Sequence, residues 1–540
     1  MKKEIVLELL ENLVERAAAS DKNKFLTTRE IEALDFAVGI LRGDPSDDLE
    51  LKAIPEIEAK PRSSFVKLKS IKIGKANLED GRVLCIDFGT SFSKAFASVN
   101  AGPGQLKIID LAIGDGSTGT ALTTPSELLI DGGRIYFGVH ARQRLNSIEG
   151  SSDRLIDSIK QYITLGTDVS ELSLKQLDLV LDPSGKFSKR DILVLYLAHL
   201  THLTEAALGK KGISENTRRR FTHPAWLEKD RLKNESEMRI LMAQSIILAR
   251  SVGPEIAVSM SVDDANSLLV QLRDVKEESL PLVLIDVAVR EATAAGAGAL
   301  LATVENRREV FLIVDIGAGT TDVAGFVCVN NPNKNVPIVS EIMTAANAKP
   351  TAGNALDNLF QQYVLEDSKL APGSNEYKAA ALSIRLNRRL LKETLFKNGS
   401  VLVPLPTGAP IRVQLNEFLT LPRVVDFNET LRALVAESGV AAAGDLHRIN
   451  LVATGGGAAL PIIRQLVEDG IEFGKKRVAF TQVDLLAEGI RDSNPELVEL
   501  YPQIAVALGG ALPTLPKPVT ALKSGIDRVP KRQIGPIYKQ

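Results

Sequence analysis

Two stretches of this chain follow one rule. An apolar run ends in an aspartate, a short glycine-bearing turn follows, and a second apolar run comes back. The first is RVLCIDFGTSFSKAFASV (82–99) and the second is VFLIVDIGAGTTDVAGFVCV (310–329). Runs of β-branched and aromatic residues interrupted by such a turn read as β-hairpins, so the chain is expected to hold two hairpins of the same design rather than two strand–helix units. In each, a buried strand carries a carboxylate to the sheet edge, Asp87 in one and Asp315 in the other. Gly89, Thr90 and Ser91, or Gly317, Ala318 and Gly319, then let backbone N–H groups close on an oxyanion. Carboxylates repel phosphates, so both sit together only around a cation. A hydrated Mg²⁺, which keeps several waters, reconciles them. One such turn is ordinary hairpin chemistry, whereas two copies point to a shared site. Asp322, which opens the return strand, is expected to brace its turn by accepting hydrogen bonds.

A third glycine turn lies in HRINLVATGGGAALPIIRQLVEDG. Its apolar strand ends in Gly455, Gly456 and Gly457, and a helix is predicted to begin near Pro461. This gives a side-chain-free shelf at a helix N-terminus, suited to a nucleoside. Between the three turns, Val/Ile-rich runs alternate with longer helical stretches such as FSKRDILVLYLAHLTHLTEAALGKKG and NEYKAAALSIRLNRRLLKETLF. That alternation predicts an α/β protein.

At 540 residues the chain exceeds one ordinary core. Lys+Arg of 65 against Asp+Glu of 67 leaves no global field that would draw nucleic acid or an anionic membrane. The apolar N-terminal run is broken by acids, unlike a secretory signal, and no uninterrupted apolar run of membrane-spanning length is read, so a cytoplasmic location is expected. Cys85 and Cys328, each inside an apolar run, are expected as core residues. The five histidines (140, 199, 202, 223 and 447) form no ligand cluster. His199 and His202 are expected on one helix as packing or surface residues, and His223 near the cleft. Residues 1–45 read as a helical hairpin suited to docking or self-association, and 46–79 as a linker. Residues 513–540, with six Lys/Arg and one Asp, read as a surface tail.

The three turns, in this order and roughly 230 and 140 residues apart, resemble those of the ATPase superfamily of actin, sugar kinases and the seventy-kilodalton (DnaK-type) heat-shock chaperones. Further segments are similar to the chaperone branch: TTPSELLI with RIYFGVHARQR, DSIKQYITLG, FTHPAW, REATAAGAGAL and TAGNALDNLF. The resemblance runs over about residues 80–512. It implies a two-lobed actin-like ATPase fold of duplicated ribonuclease H-like domains, lobe I over 80–305 and lobe II over 306–512, with ATP or ADP and Mg²⁺ in the cleft. It also implies roles. Asp87 and Asp315 would hold Mg²⁺ through water, Thr90 and Thr320 would stand by the terminal phosphates, and Lys160 would orient the attacking water. Glu291 would link the lobes, Pro224 would be the switch proline, and Thr321, Asp322 and Gly353 would complete the phosphate-binding set.

On the helix that holds adenosine in that family this chain offers Arg389, Lys392, Glu393 and Phe396. Lys392 is kept, the base-stacking arginine is not, and Phe396 offers an apolar wall in its place. In the third turn the family's Ser and Arg are Gly457 and Ala459, and Arg231 falls one position before the family's switch arginine. Only about 28 residues follow, too few for a β-sandwich peptide clamp of about 100 residues. The implied function is therefore a slow, DnaK-like ATPase switch acting on a protein partner. A small-molecule kinase of the sugar type and an actin-like filament former are the alternatives, the first disfavoured because the sequence shows no separate carboxylate base.

Overall fold

The computed structural model describes residues 66–71, 81–100, 106–148, 154–164, 166–301, 308–329, 337–406 and 408–519. The expected N-terminal hairpin lies outside the described residues, as do most of the linker and residues 520–540 of the tail.

Each hairpin is the centre of a sheet. In the first sheet, β1 (Arg82–Asp87) pairs antiparallel with β2 (Phe92–Asn100), and β2 with β3 (Leu106–Asp110). On its other side β1 pairs parallel with β4 (Arg219–His223), which pairs parallel with β5 (Ile285–Arg290). The second sheet repeats this plan. There β6 (Arg308–Ile316), β7 (Thr321–Val329) and β8 (Ile338–Lys349) form the antiparallel half, while β9 (Arg448–Thr454) and β10 (Lys476–Gln482) continue in parallel from β6. The strand orders are β3-β2-β1-β4-β5 and β8-β7-β6-β9-β10, and short strands extend both edges of the second sheet. Both expected hairpins are present, and the protein is a mixed α/β structure.

Parallel neighbours need long crossovers, which helices supply. α1 (Lys189–Lys210) starts at a capping box in which the Ser188 and Asp191 side chains bond each other's backbone N–H groups. It packs with α2 (Glu228–Val252) on the first sheet. Both helices are long and apolar enough to cross a membrane, but most of each is buried in the protein's own core. The short α3 (Glu291–Gly296) follows β5. In the second half, α4 (Gly353–Asp367) and α5 (Asn375–Asn398) pack on each other, α6 (Pro422–Ala443) covers the sheet, and α7 (Pro461–Asp469) begins at the expected proline.

Between the two sheets lies a core of small residues. Cys85 and Phe96 from the first sheet meet Phe311, Phe326 and Val452 from the second, with α3 and α8 (Glu496–Gly510) packed among them. The alanine- and glycine-rich runs ATAAGAGAL and IAVALGG permit this close approach: a Cβ on Gly509 would stand 1.9 Å from the Ala294 carbonyl oxygen, and one on Gly296 would stand 2.4 Å from the Phe326 ring. The boundary expected after residue 305 therefore does not divide the chain cleanly. α8, numbered with the second half, also ties the first: Ser98 Oγ donates to the Ala511 carbonyl at 2.6 Å, and Arg220 donates to the Gly510 and Leu512 carbonyls.

Two expectations at the ends change as well. Lys517–Val519, read as part of a loose tail, adds a parallel strand beside β8. Within the expected linker, the Leu68 and Lys69 N–H groups donate to the Gln271 and Ser251 side chains, which fixes that stretch against the first core.

Candidate functional site

All three glycine turns line one pocket. From the first half it receives Asp87, Gly89, Thr90, Ser91, Lys160 and Glu291; from the second it receives Asp315, Gly317, Ala318, Gly319, Thr320, Gly353, Lys392 and Gly455–Gly457. The turns meet face to face, since a Cβ on Gly319 would stand 2.8 Å from Thr90 Oγ1. Gly455 has φ +78°, the left-handed region that favours glycine, and a Cβ there would lie 2.3 Å from the Ile316 carbonyl oxygen and 2.7 Å from Asp315 Oδ1. The third turn thus seats directly on the tip of the second hairpin, where the Gly457 N–H donates to that same Ile316 carbonyl at 3.0 Å. The start of α4 docks on the second turn, its Gly353 and Asn354 N–H groups donating to the Gly317 and Ala318 carbonyls.

Both strand-tip carboxylates are buried and held. Thr222 Oγ1 donates to Asp87 Oδ1 at 2.8 Å, and Lys94 Nζ approaches Oδ2 at 3.3 Å. Thr454 Oγ1 donates to Asp315 Oδ1 at 3.0 Å. Lys160, 5% exposed, is ion-paired with Glu291 at the first turn of α3. It is not the solvated helix lysine that its sequence context alone suggests. Burial by itself would depress the Lys160 ammonium, but the carboxylates of Glu291, Asp87 and Asp322 outweigh it and raise its pKa.

The opposite imbalance falls on the acids. Burial, reinforced by the negative charge of Asp322, pushes Asp315 up to about 6. Asp322 is likewise raised by burial, and its Oδ2 has no hydrogen-bond partner. Its Oδ1 accepts from the Ala225 N–H at 3.3 Å, next to Pro224, so it braces the turn against the first half of the molecule. Five carboxylates line the pocket (Asp87, Glu291, Asp315, Asp357, Glu393) against four cations (Lys94, Lys160, Arg389, Lys392), with Asp322 buried just behind the second turn and outside the lining, so a small excess of negative charge remains around a glycine-lined space. That donor set fits a hydrated divalent cation with polyphosphate. Among the described residues no three His, Cys, Asp or Glu side chains form a direct ligand set.

Several residues fall elsewhere than expected. Thr321 turns from the pocket and donates to the Thr351 carbonyl at 2.6 Å. Phe396 does not wall the pocket: it packs edge-on against Phe418, with ring centroids 6.3 Å apart, in the second core. Helical spacing puts it near Lys392 in sequence, yet the buried face of α5 claims it. Lys392 reaches the pocket but is occupied by Asp357, Nζ to Oδ1 2.6 Å. His223 stacks on Trp226 at 4.3 Å inside the first half and does not line the pocket. Its neutral form is favoured by burial, which lowers its pKa to about 3. Arg231 pairs with Glu235 at 2.9 Å.

Other pocket residues were not anticipated. Lys94 was legible in principle, since period-two alternation along β2 sets it opposite Asp87. Thr454 ends the strand before the third turn. Phe92 sits under the Arg389 guanidinium at 4.0 Å, and Pro502, Gln503 and Val506 come from α8; these carry no local signal. Searches for known relatives match no protein-family model and no curated protein.

Proposed function

We propose that this protein is an ATP-binding, slowly ATP-hydrolysing molecular switch on a two-lobed actin-like fold of duplicated ribonuclease H-like halves, akin to the nucleotide-binding domain of DnaK-type chaperones and acting on a protein partner. One observation carries this reading: Asp87 and Asp315, at equivalent strand tips of two sheets with the same strand order, line a single pocket with their own glycine turns and a third. Duplication alone is a fold argument. The chemistry rests on the excess of buried negative charge among oxyanion-binding turns.

In the proposed reaction the N–H groups of the turns at 89–91 and 317–319 hold the terminal phosphates. Thr90 and Thr320 stand beside them, and Asp87 and Asp315, already fixed by Thr222 and Thr454, are the residues that would hold Mg²⁺ through water. When bound, that ion offsets the charge of the transferring phosphoryl group. Lys160, fixed by Glu291, orients a water for in-line attack; its oxygen forms the new P–O bond as the bond to ADP breaks, and its proton passes to an oxygen of the departing phosphate. Glu291 also begins α3, which packs between the sheets, and Asp322 reaches across to Ala225, so both couple the pocket to the contact between the halves.

The test is nucleotide-dependent protection from protease together with ADP release. Mg²⁺ and ATP should protect the protein, chelation should abolish this, and Asp87→Asn should lower turnover by roughly 10²-fold. Absence of both protection and ADP release would refute the proposal. ADP formation only on addition of a sugar would transfer it to the kinase reading, and ATP-dependent pelleting to the filament reading.

A further inference from the structure

A separate pocket lies against α1 in the first half of the molecule and shares no lining residue with the first pocket. Helical spacing sets His199, Leu203, Ala207 and Lys210 along one stripe of α1, and all four line it. Ile113, Thr124, Phe137 and Gly138 supply buried lining from other segments, while the exposed Asp115 and Lys210 stand at the rim. The volume is about 210 Å³. A cavity of about 150 Å³ holds one benzene ring, so this one has room for a ring and a substituent.

His199, 2% exposed, decides the chemistry. Its ring stacks on Phe137, with centroids 5.0 Å apart and planes 10° from parallel, and its Nδ1 bonds the Ile256 carbonyl at 2.8 Å. A carbonyl can only accept, so Nδ1 carries the proton, and burial disfavours the charged ring. Nε2 is therefore a bare acceptor, and it has no hydrogen-bond partner. The ring cannot turn to find one without giving up the Ile256 bond and the stack on Phe137. Nε2 faces the glycine of the lining: a Cβ on Gly138 would stand 3.5 Å from it and 3.2 Å from Thr124 Oγ1. Buried polar atoms without a partner are few in folded proteins, and this one belongs to a pocket whose other buried lining is mostly apolar.

We propose that this pocket binds a small uncharged molecule with a ring-sized apolar body and one hydrogen-bond donor, a phenol-type hydroxyl or an indole-type N–H, which donates to His199 Nε2. Ile113, Phe137, Leu203 and Ala207 take the body out of water. An ionised ligand would lose its hydration among them without a counter-charge. A site built around an unmet acceptor rejects an analogue of the same shape that lacks the donor. The proposal does not depend on the nucleotide reading, because none of these residues lines the first pocket.

The experiment is nitrogen NMR of the full chain labelled with ¹⁵N-histidine, at neutral pH and without nucleotide, titrated with phenol, indole and toluene; calorimetry supplies the affinities. Toluene matches phenol in shape and has no donor. The chain has five histidines, and His199→Phe, which keeps an aromatic ring beside Phe137, assigns the His199 signals by their loss. Phenol or indole should move the His199 Nε2 resonance upfield and saturate below about 10 mM. Toluene should bind at least about tenfold more weakly than phenol and leave that resonance in place. His199→Phe should bind phenol at least about tenfold more weakly than the parent and toluene no more weakly, with unmoved signals from the other four histidines showing that it is folded. If the variant does not fold, the parent titrations decide by themselves. The proposal is overturned if neither donor moves the Nε2 resonance up to about 10 mM, if toluene binds as tightly as phenol, or if folded His199→Phe keeps the parent's affinity for phenol.

Discussion

Replacing Asp315 with asparagine should do two opposite things. The side chain is 5% exposed, and burial beside Asp322 raises its carboxyl from 3.8 to about 6. A group whose folded pKa lies above its unfolded value favours the fold while protonated, and that contribution is lost as pH rises through the folded pKa. At about 1.4 kcal/mol per pH unit, ionised Asp315 costs the metal-free protein about 3 kcal/mol above pH 6. Asparagine removes the charge and keeps an oxygen for the Thr454 hydroxyl, now 3.0 Å from Oδ1. Urea unfolding without Mg²⁺ or nucleotide should therefore find Asp315→Asn more stable than the parent by about 3 kcal/mol at pH 8. The difference should shrink to about half at pH 5, while hydrolysis and the stabilisation by Mg²⁺ and ATP are lost. A variant no more stable than the parent at pH 8, or one with an equal advantage at both pH values, would refute this account of the pocket's electrostatics; unchanged turnover would refute its chemistry.

Lys160→Met strands the buried Glu291 carboxylate and should destabilise by roughly 3–5 kcal/mol. Lys160→Met/Glu291→Gln should regain most of that in a thermal melt yet stay catalytically weak. His199, which does not line the first pocket, makes a separate prediction. It is 2% exposed, Nδ1–H donates to the Ile256 carbonyl at 2.8 Å, and burial lowers its pKa from 6.5 to about 4. Its contribution is complete above 6.5 and is lost as pH falls through about 4, by roughly 3 kcal/mol. His199→Gln should flatten that part of the stability–pH curve, measured by urea midpoints, and an unaltered slope would show that other groups govern acid unfolding.

What sequence could reveal followed from local rules. An apolar run, a terminal aspartate and a glycine turn specify a hairpin whatever surrounds it, because turn chemistry and strand periodicity act over a few residues. Both hairpins, the third turn, the helix start at Pro461, and the burial of both cysteines were legible in that way. Phe396 was misplaced because helical spacing gives a residue's neighbours along one face but not which face meets the core. The short strand Lys517–Val519 was hidden by its prolines and lysines, since an edge position tolerates both.

The rest belonged to the tertiary structure alone. Nothing near Lys160 in sequence announces Glu291, 131 positions away, and nothing in α8 announces that it packs against both sheets. Arg389 over Phe92 and Asp322 across to Ala225 both join residues from distant parts of the chain. Hydrogen-bonding patterns along the backbone are written locally. Burial, and with it the displaced pKa of Asp315 and the charge excess around it, exists only once the two sheets close on one another and exclude water.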